Sequence, residues 1–116
     1  MAESVLAIKS IDFGVRVVHC AQFLQKEKSE FIMSKQILRS GTSIGANIHE
    51  GVYAQSKADF VSKLSISLKE ASETSYWLIL LKKTDYLTLE AYNSLKSDLD
   101  ELIRMIISSL KTAKKE

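Results

Sequence analysis

Proline is absent from all 116 residues. Proline breaks helix interiors and punctuates turns, so a chain without it can build long helices joined by few breaks. Cysteine occurs once, as Cys20, which excludes an internal disulfide and suits a reducing compartment, here expected to be the cytoplasm. No run of about 18 apolar residues is present to span a bilayer, so no membrane partner is expected. The opening Met1-Ala2-Glu3 lacks the basic region before an apolar core that marks a signal peptide. Charge is nearly balanced, 16 basic residues against 14 acidic. Any surface for a polyanion must therefore come from placement rather than from excess. Also missing are sustained apolar-polar alternation and Asn-Gly or Asp-Gly hairpin signals, which argues against strands. There is no Gly-rich phosphate loop, no Ser-His-Asp order, no Glu-x-x-His pair of di-iron bundles and no recognisable RNA-binding motif. His19, Cys20 and His49 lack the spacing of a zinc site. No enzyme activity, cofactor or metal is expected.

What is there is helical periodicity, in a chain that is 46% apolar. Phe13, Val17, Cys20 and Leu24 recur at helical spacing, with Val15, Val18 and Ala21 widening the stripe. Residues 1–9 are ambiguous between helix and ordered arm, and Ser10 is placed to cap a first helix over 10–26. A polar break at 26–29 leads to a second helix over 30–51, with Ser29 as its cap. Phe31, Ile37, Leu38, Ile44 and Ile48 are its apolar residues, and Gly51 is its terminator. Ser56-Lys57-Ala58-Asp59 has capping-box spacing before a third helix over 57–83, which is apolar on more than one face. Thr88 caps a fourth over 88–114, whose stripe is Tyr92, Leu95, Leu99, Leu102, Ile106 and Leu110. Four helices with short breaks predict one all-α domain, an antiparallel up-down-up-down four-helix bundle about 37 Å long if its helices have about 25 residues.

The second helix holds an unusual stretch, Arg39 to Gly51. Its interior Gly41 and Gly45 cost roughly 2 kcal/mol of helix propensity unless close helix approach compensates. They form a smooth strip beside Ile44 and Ile48. Arg39, Ser43, Asn47 and Glu50 step along an adjacent face at spacings of four, four and three. Two readings of this polar line stand: a ligand or RNA site, or a network tying the second helix to the third, or to a neighbouring subunit, through Glu70 or Glu73.

The stretch Arg39-Ser-Gly-Thr-Ser-Ile-Gly-Ala-Asn-Ile-His-Glu-Gly51, then Ser56-Lys-Ala-Asp-Phe60 and Leu64-Ser-Ile-Ser-Leu-Lys-Glu-Ala71, resembles the bacterial four-helix-bundle protein family. Its members include proteins encoded in intervening sequences of large-subunit ribosomal RNA genes. The resemblance runs from about Ser10 to Lys115. One departure is His49, where the family usually has Ala. The resemblance implies a left-handed bundle that assembles as a ring-like homopentamer. It also implies similarity to the pentameric accessory variability protein of diversity-generating retroelements, which is associated with nucleic acid and a reverse transcriptase. RNA or DNA is the partner suggested by that analogy.

Other residues carry paired readings. Glu70 and Glu73 share a face three apart, as acid-base or metal carboxylates or as salt-bridge partners. Trp77 with Tyr76 is a subunit anchor or ordinary core. Tyr53 and Tyr86, near helix ends, stack on bases or pack their loops. Lys35 with Arg39, Lys82 with Lys83, and Lys111, Lys114 and Lys115 form a basic rim for nucleic acid or a solvated surface. Repetition in an oligomer would add avidity to such a rim. Two functions from different classes follow. One is a non-enzymatic, homo-oligomeric protein associated with nucleic acid. The other is a scaffold that recruits a protein partner such as a polymerase, on the excess of apolar and aromatic faces of the third helix.

Overall fold

The computed structural model describes residues 2–115. Four helices account for nearly all of them: α1 (Ala2–Glu27), α2 (Met33–Val52), α3 (Lys57–Lys83) and α4 (Leu89–Lys115). Each helix packs against its neighbours in sequence, and α1 closes the square against α4. Cross-helix contacts give the directions. Val17 meets position 41 and Ser10 meets position 45 between α1 and α2. Lys9 pairs with Glu101, and Arg16 with Asp98, between α1 and α4. The residue numbers run oppositely in each pair, so neighbours are antiparallel. The result is an all-α bundle of 47 × 21 × 19 Å.

The core is one stripe from each helix. Leu6, Phe13, Val17, Cys20 and Leu24 of α1 meet Ile37, Ile44 and Ile48 of α2, Leu64, Leu78 and Leu81 of α3, and Leu99, Leu102 and Ile106 of α4. On α3 the buried line is Leu64, Ser67, Ala71, Thr74, Leu78 and Leu81. On α4 Ala113 extends the stripe beyond Leu110.

Several local expectations are corrected. α1 begins at Ala2, so Ser10 is not a cap. Its side chain is buried in mid-helix and its Oγ donates to the carbonyl of Ala7 at 2.7 Å. The apolar residue Leu6 belongs to the core, and burying it draws the helix back through the first turns.

Ser29 does not cap α2 either. It takes a left-handed φ of 51° in the turn, and the capping falls to Glu30. The Glu30 carboxylate accepts from the backbone N–H groups of Ile32 and Met33, both at 3.0 Å, and of Ser34 at 2.7 Å. It thereby satisfies donors that a helix start leaves open. α2 starts at Met33 as a consequence, and Phe31 lies outside the helix, exposed.

Gly51 does not terminate α2, which continues to Val52. Among the described residues no glycine has a positive φ. A Cβ on Gly51 would lie 2.8 Å from Leu64 Cδ1, so contact with α3 explains its smallness. At the end of α3 the left-handed residue is Asp85, φ 66°. The N–H groups of Asp85 and Tyr86 return to the carbonyls of Lys82 and Leu81 at 3.1 and 2.9 Å, closing α3 in a Schellman arrangement.

Ser56 and Thr88 do cap their helices. Ser56 Oγ accepts from Asp59 N–H and Thr88 Oγ1 from Ala91 N–H, each at 3.1 Å.

Candidate functional site

The Arg39–Gly51 stretch packs in two directions. Its interior glycines, Gly41 and Gly45, turn to α1. A Cβ at 41 would sit 2.7 Å from Val17 Cγ1, and a Cβ at 45 would sit 3.3 Å from both the carbonyl and the hydroxyl of Ser10. Bare backbone is what lets α2 approach α1 this closely. On the α3 side the contacts are small and hydroxylic. Ser67 Oγ donates to the carbonyl of Ile44 at 2.9 Å. Thr74 Oγ1 lies 2.9 Å from Ser40 Oγ and 2.8 Å from the carbonyl of Glu70. The single Thr74 proton serves one of these bonds, and the Ser40 hydroxyl supplies the other. Buried hydroxyls need partners, and these find them across the seam. They are held at one relative height of α2 and α3.

Above this seam lies a charged cluster. Arg39 donates to Glu73 through Nη2 and approaches Glu70 Oε1 through Nη1 at 3.5 Å. Trp77 Nε1 donates to the same Glu73 carboxylate at 3.1 Å. The Trp77 hydrogen bond, and next the Arg39 bond, hold the Glu73 carboxyl below the usual carboxylate range. Arg39 is pushed up further into its charged form, first by Glu73 and then by Glu70. At the far end of α2, Glu50 pairs with Lys63 of α3 at 3.0 Å, and that pair raises the Lys63 ammonium.

The line of four polar residues on α2 therefore divides. Arg39 and Glu50 cross to α3. Ser43 and Asn47 bond their own helix, Ser43 Oγ to the carbonyl of Arg39 at 2.7 Å and Asn47 Nδ2 to the carbonyl of Ser43 at 2.9 Å. Trp77 is half-buried against the core, with Tyr76 edge-on at 5.1 Å. Tyr53 is exposed and edge-on to His49 at 5.2 Å. Tyr86 packs against the core.

The lysines do not gather into one rim. Helix direction puts Lys35, at the start of α2, with Lys82 and Lys83, at the end of α3. Lys111, Lys114 and Lys115 close α4 at the opposite end of a rod 47 Å long. Arg39 lies between, engaged by two carboxylates. None of the six lysines is in an ion pair among the described residues. Lys82 Nζ stands 5.1 Å from the Tyr92 ring centre.

Cys20 lies inside the bundle, where burial pushes its thiol up to about 11. Such a thiol stays protonated and unreactive at neutral pH. Among the described residues no three of His, Cys, Asp and Glu converge as a metal site would require. No described helix is long and apolar enough to cross a membrane.

One feature escaped the residue pattern. Val15 widens no core stripe; it points outward, as do Val5, Ile8 and Ile11, with exposures of 49, 46, 59 and 60%. The signal was legible in the spacing. Ile8, Ile11, Val15 and Val18 form a second 3-4-3 line on α1 that the bundle core does not need.

Fold and seam together define a small helical bundle whose distinguishing stretch is a close-packed, hydroxyl-lined junction of α2 with both neighbours. The family model described as 23S rRNA-intervening sequence protein matches residues 3–108, and the chain belongs to that family. A solved structure from Bacteroides thetaiotaomicron, described as a protein with unknown function from the S23 ribosomal protein family, is similar throughout. Identity is 55%, the alignment covers 96% of this chain and 99% of that one, and the TM-score is 0.94. Comparison with curated proteins gave no match.

Proposed function

We propose that the protein is a non-enzymatic, homo-oligomeric helical scaffold that associates with RNA. The observation that carries the assembly is the outward face of α1. Val5, Ile8, Ile11 and Val15 are each about half exposed or more on one helix, and Val18 continues the line half-buried. A solvent-facing helix surface ordinarily carries charge, and clustered aliphatic exposure marks an interaction site. Covering each of these side chains with a neighbouring copy contributes on the order of 1 kcal/mol. The subunit number expected from the resemblance is five. RNA is the partner suggested by the resemblance to a nucleic-acid-associated pentamer, and lysines outside ion pairs at both ends of the rod, which assembly would multiply, support it.

The experiment measures solution mass by light scattering for the wild type and for Ile11→Glu with Val15→Glu. The wild type is expected well above the 13.0 kDa chain mass. The double variant is expected to fall toward it while staying helical. A wild type that stays at chain mass at tens of micromolar removes the assembly. RNA binding is read separately by titration at low and high salt, and no binding at low salt removes that part.

A second reading rests on the last turns of α3, where Tyr76 and Ile79 are exposed three apart and half-buried Trp77 lies edge-on to Tyr76. This face suits a protein partner. Capture of one protein from nuclease-treated lysate, lost on Tyr76→Glu, favours it over RNA.

A further inference from the structure

At the end of the rod where α1 and α3 finish and α4 begins, a cleft of about 380 Å3 opens between helix ends. Its lining includes Phe23, Lys28, Lys82, Asp85 and Tyr86. We infer that this cleft holds one nucleotide of a single-stranded RNA, its base against the Phe23 and Tyr86 rings and its flanking phosphates on Lys28 and Lys82. The inference rests on the RNA association proposed above.

The chemistry of the lining chooses the ligand. The Phe23 ring is 41% exposed, so one aromatic surface is open to solvent rather than used in the core. The Lys28 ammonium already stands over that ring at 5.9 Å. Aromatic surface beside cationic side chains is how sequence-tolerant single-strand binders combine stacking with phosphate attraction. A duplex offers no unstacked base to such a cleft, whereas a splayed single strand does. The volume falls within the range of small-ligand pockets.

The opposite end also carries lysines but not this combination. Lys111, Lys114 and Lys115 are exposed there. The cleft that opens between Val5 of α1 and α4 is lined by Glu101, Arg104, Met105, Ser108 and Ser109, with no ring to stack on. Asp85 offsets one of the two positive charges in the Lys82-end cleft. Each subunit therefore binds weakly, and measurable affinity comes from several subunits engaging one strand.

The test titrates a labelled oligouridylate of about 20 nucleotides, and a duplex RNA of equal length, by fluorescence anisotropy at low salt. The proteins are the wild type, Phe23→Ala, Lys28→Ala with Lys82→Ala, and Lys111→Ala with Lys114→Ala and Lys115→Ala. All four are first checked for unchanged helicity and assembly mass. The inference expects Phe23→Ala to lose about tenfold in single-strand affinity. The Lys28/Lys82 variant should weaken binding and flatten its salt dependence by about 0.7 log units per log salt for each phosphate that is no longer neutralised. The triple variant at the other end should retain most of the affinity. If the wild type binds RNA but the Phe23 and Lys28/Lys82 variants bind equally well, or if only duplex is bound, the cleft is not the site although RNA association stands. If nothing binds at low salt, both fall.

Discussion

Gly41 of α2 lies so close to Val17 of α1 that a methyl group added at 41 would be 2.7 and 2.8 Å from the two γ carbons of Val17. Val17 is β-branched in a helix, where one χ1 rotamer dominates, so it cannot swing aside. Gly41→Ala gains about 1 kcal/mol of helix propensity but overpacks the core by about 1–3 kcal/mol. Net destabilisation of about 1 kcal/mol is expected from urea unfolding. Gly45→Ala meets Ser10 at the looser 3.3 Å and is expected to cost less. A Gly41→Ala protein more stable than the wild type would mean that the helices separate freely there.

Glu30 stands in for the missing cap of α2. It is buried, and its carboxylate accepts three backbone N–H groups. Replacing a side-chain cap typically costs about 0.5–2 kcal/mol, and bonds to a charged acceptor lie at the strong end. Glu30→Ala is expected to lose about 2 kcal/mol in denaturant unfolding. Hydrogen exchange should quicken most at Ile32, Met33 and Ser34. Ser29→Ala should leave those three amides protected.

The Arg39–Glu73–Trp77 cluster predicts a small acid dependence. The folded-state pKa of Glu73 is depressed, first by Trp77 and then by Arg39. Its stabilisation is therefore present above the unfolded carboxylate value of about 4.3 and disappears as pH falls through the lower folded value. The group is substantially exposed, which keeps the effect below about 1 kcal/mol. Glu73→Gln should unfold at a lower temperature than the wild type at pH 6 and at the same temperature near pH 2. Equal melting at both pH values would show that the pair contributes nothing.

Cys20 should resist thiol reagents. A thiol raised from 9.0 to about 11 has roughly a hundredfold less thiolate at pH 8 from ionisation alone. Burial slows access further. Alkylation by iodoacetamide at pH 8 is expected to be at least that much slower in the native protein than in urea. Fast native labelling would place Cys20 outside the core.

The helices were legible in the chain because a missing proline and long 3.6-residue stripes leave few alternatives. The α4 stripe from Tyr92 to Leu110 is the clearest case, and the Ser56 and Thr88 caps were equally readable. The start of α2 was not. Sequence pattern favours a serine cap, while the turn needs Ser29 at positive φ and hands the task to a carboxylate one residue on. Gly51 misled for a related reason. A glycine near a helix end commonly supplies left-handed backbone, yet here the space taken by Leu64 demands it.

The candidate site divides in the same way. The spacing of Arg39, Ser43, Asn47 and Glu50 placed them along one face of a helix, but not what each one bonds. Ser43 and Asn47 are short enough to reach their own backbone, and only Arg39 and Glu50 span the gap to α3. The scattered lysines also needed the tertiary structure, since helix direction sends Lys82 and Lys114 to opposite ends.

By itself the sequence determined four helices, the buried stripe of α4 and the need for close approach at Gly41 and Gly45, because these follow from local periodicity and side-chain size. Only the tertiary structure decided that those glycines face α1 while the hydroxyls beside them face α3. It alone showed that a second apolar line on α1 is left facing outward. Which side of a helix meets which neighbour depends on how four helices share one core, and no single stretch of chain contains that information.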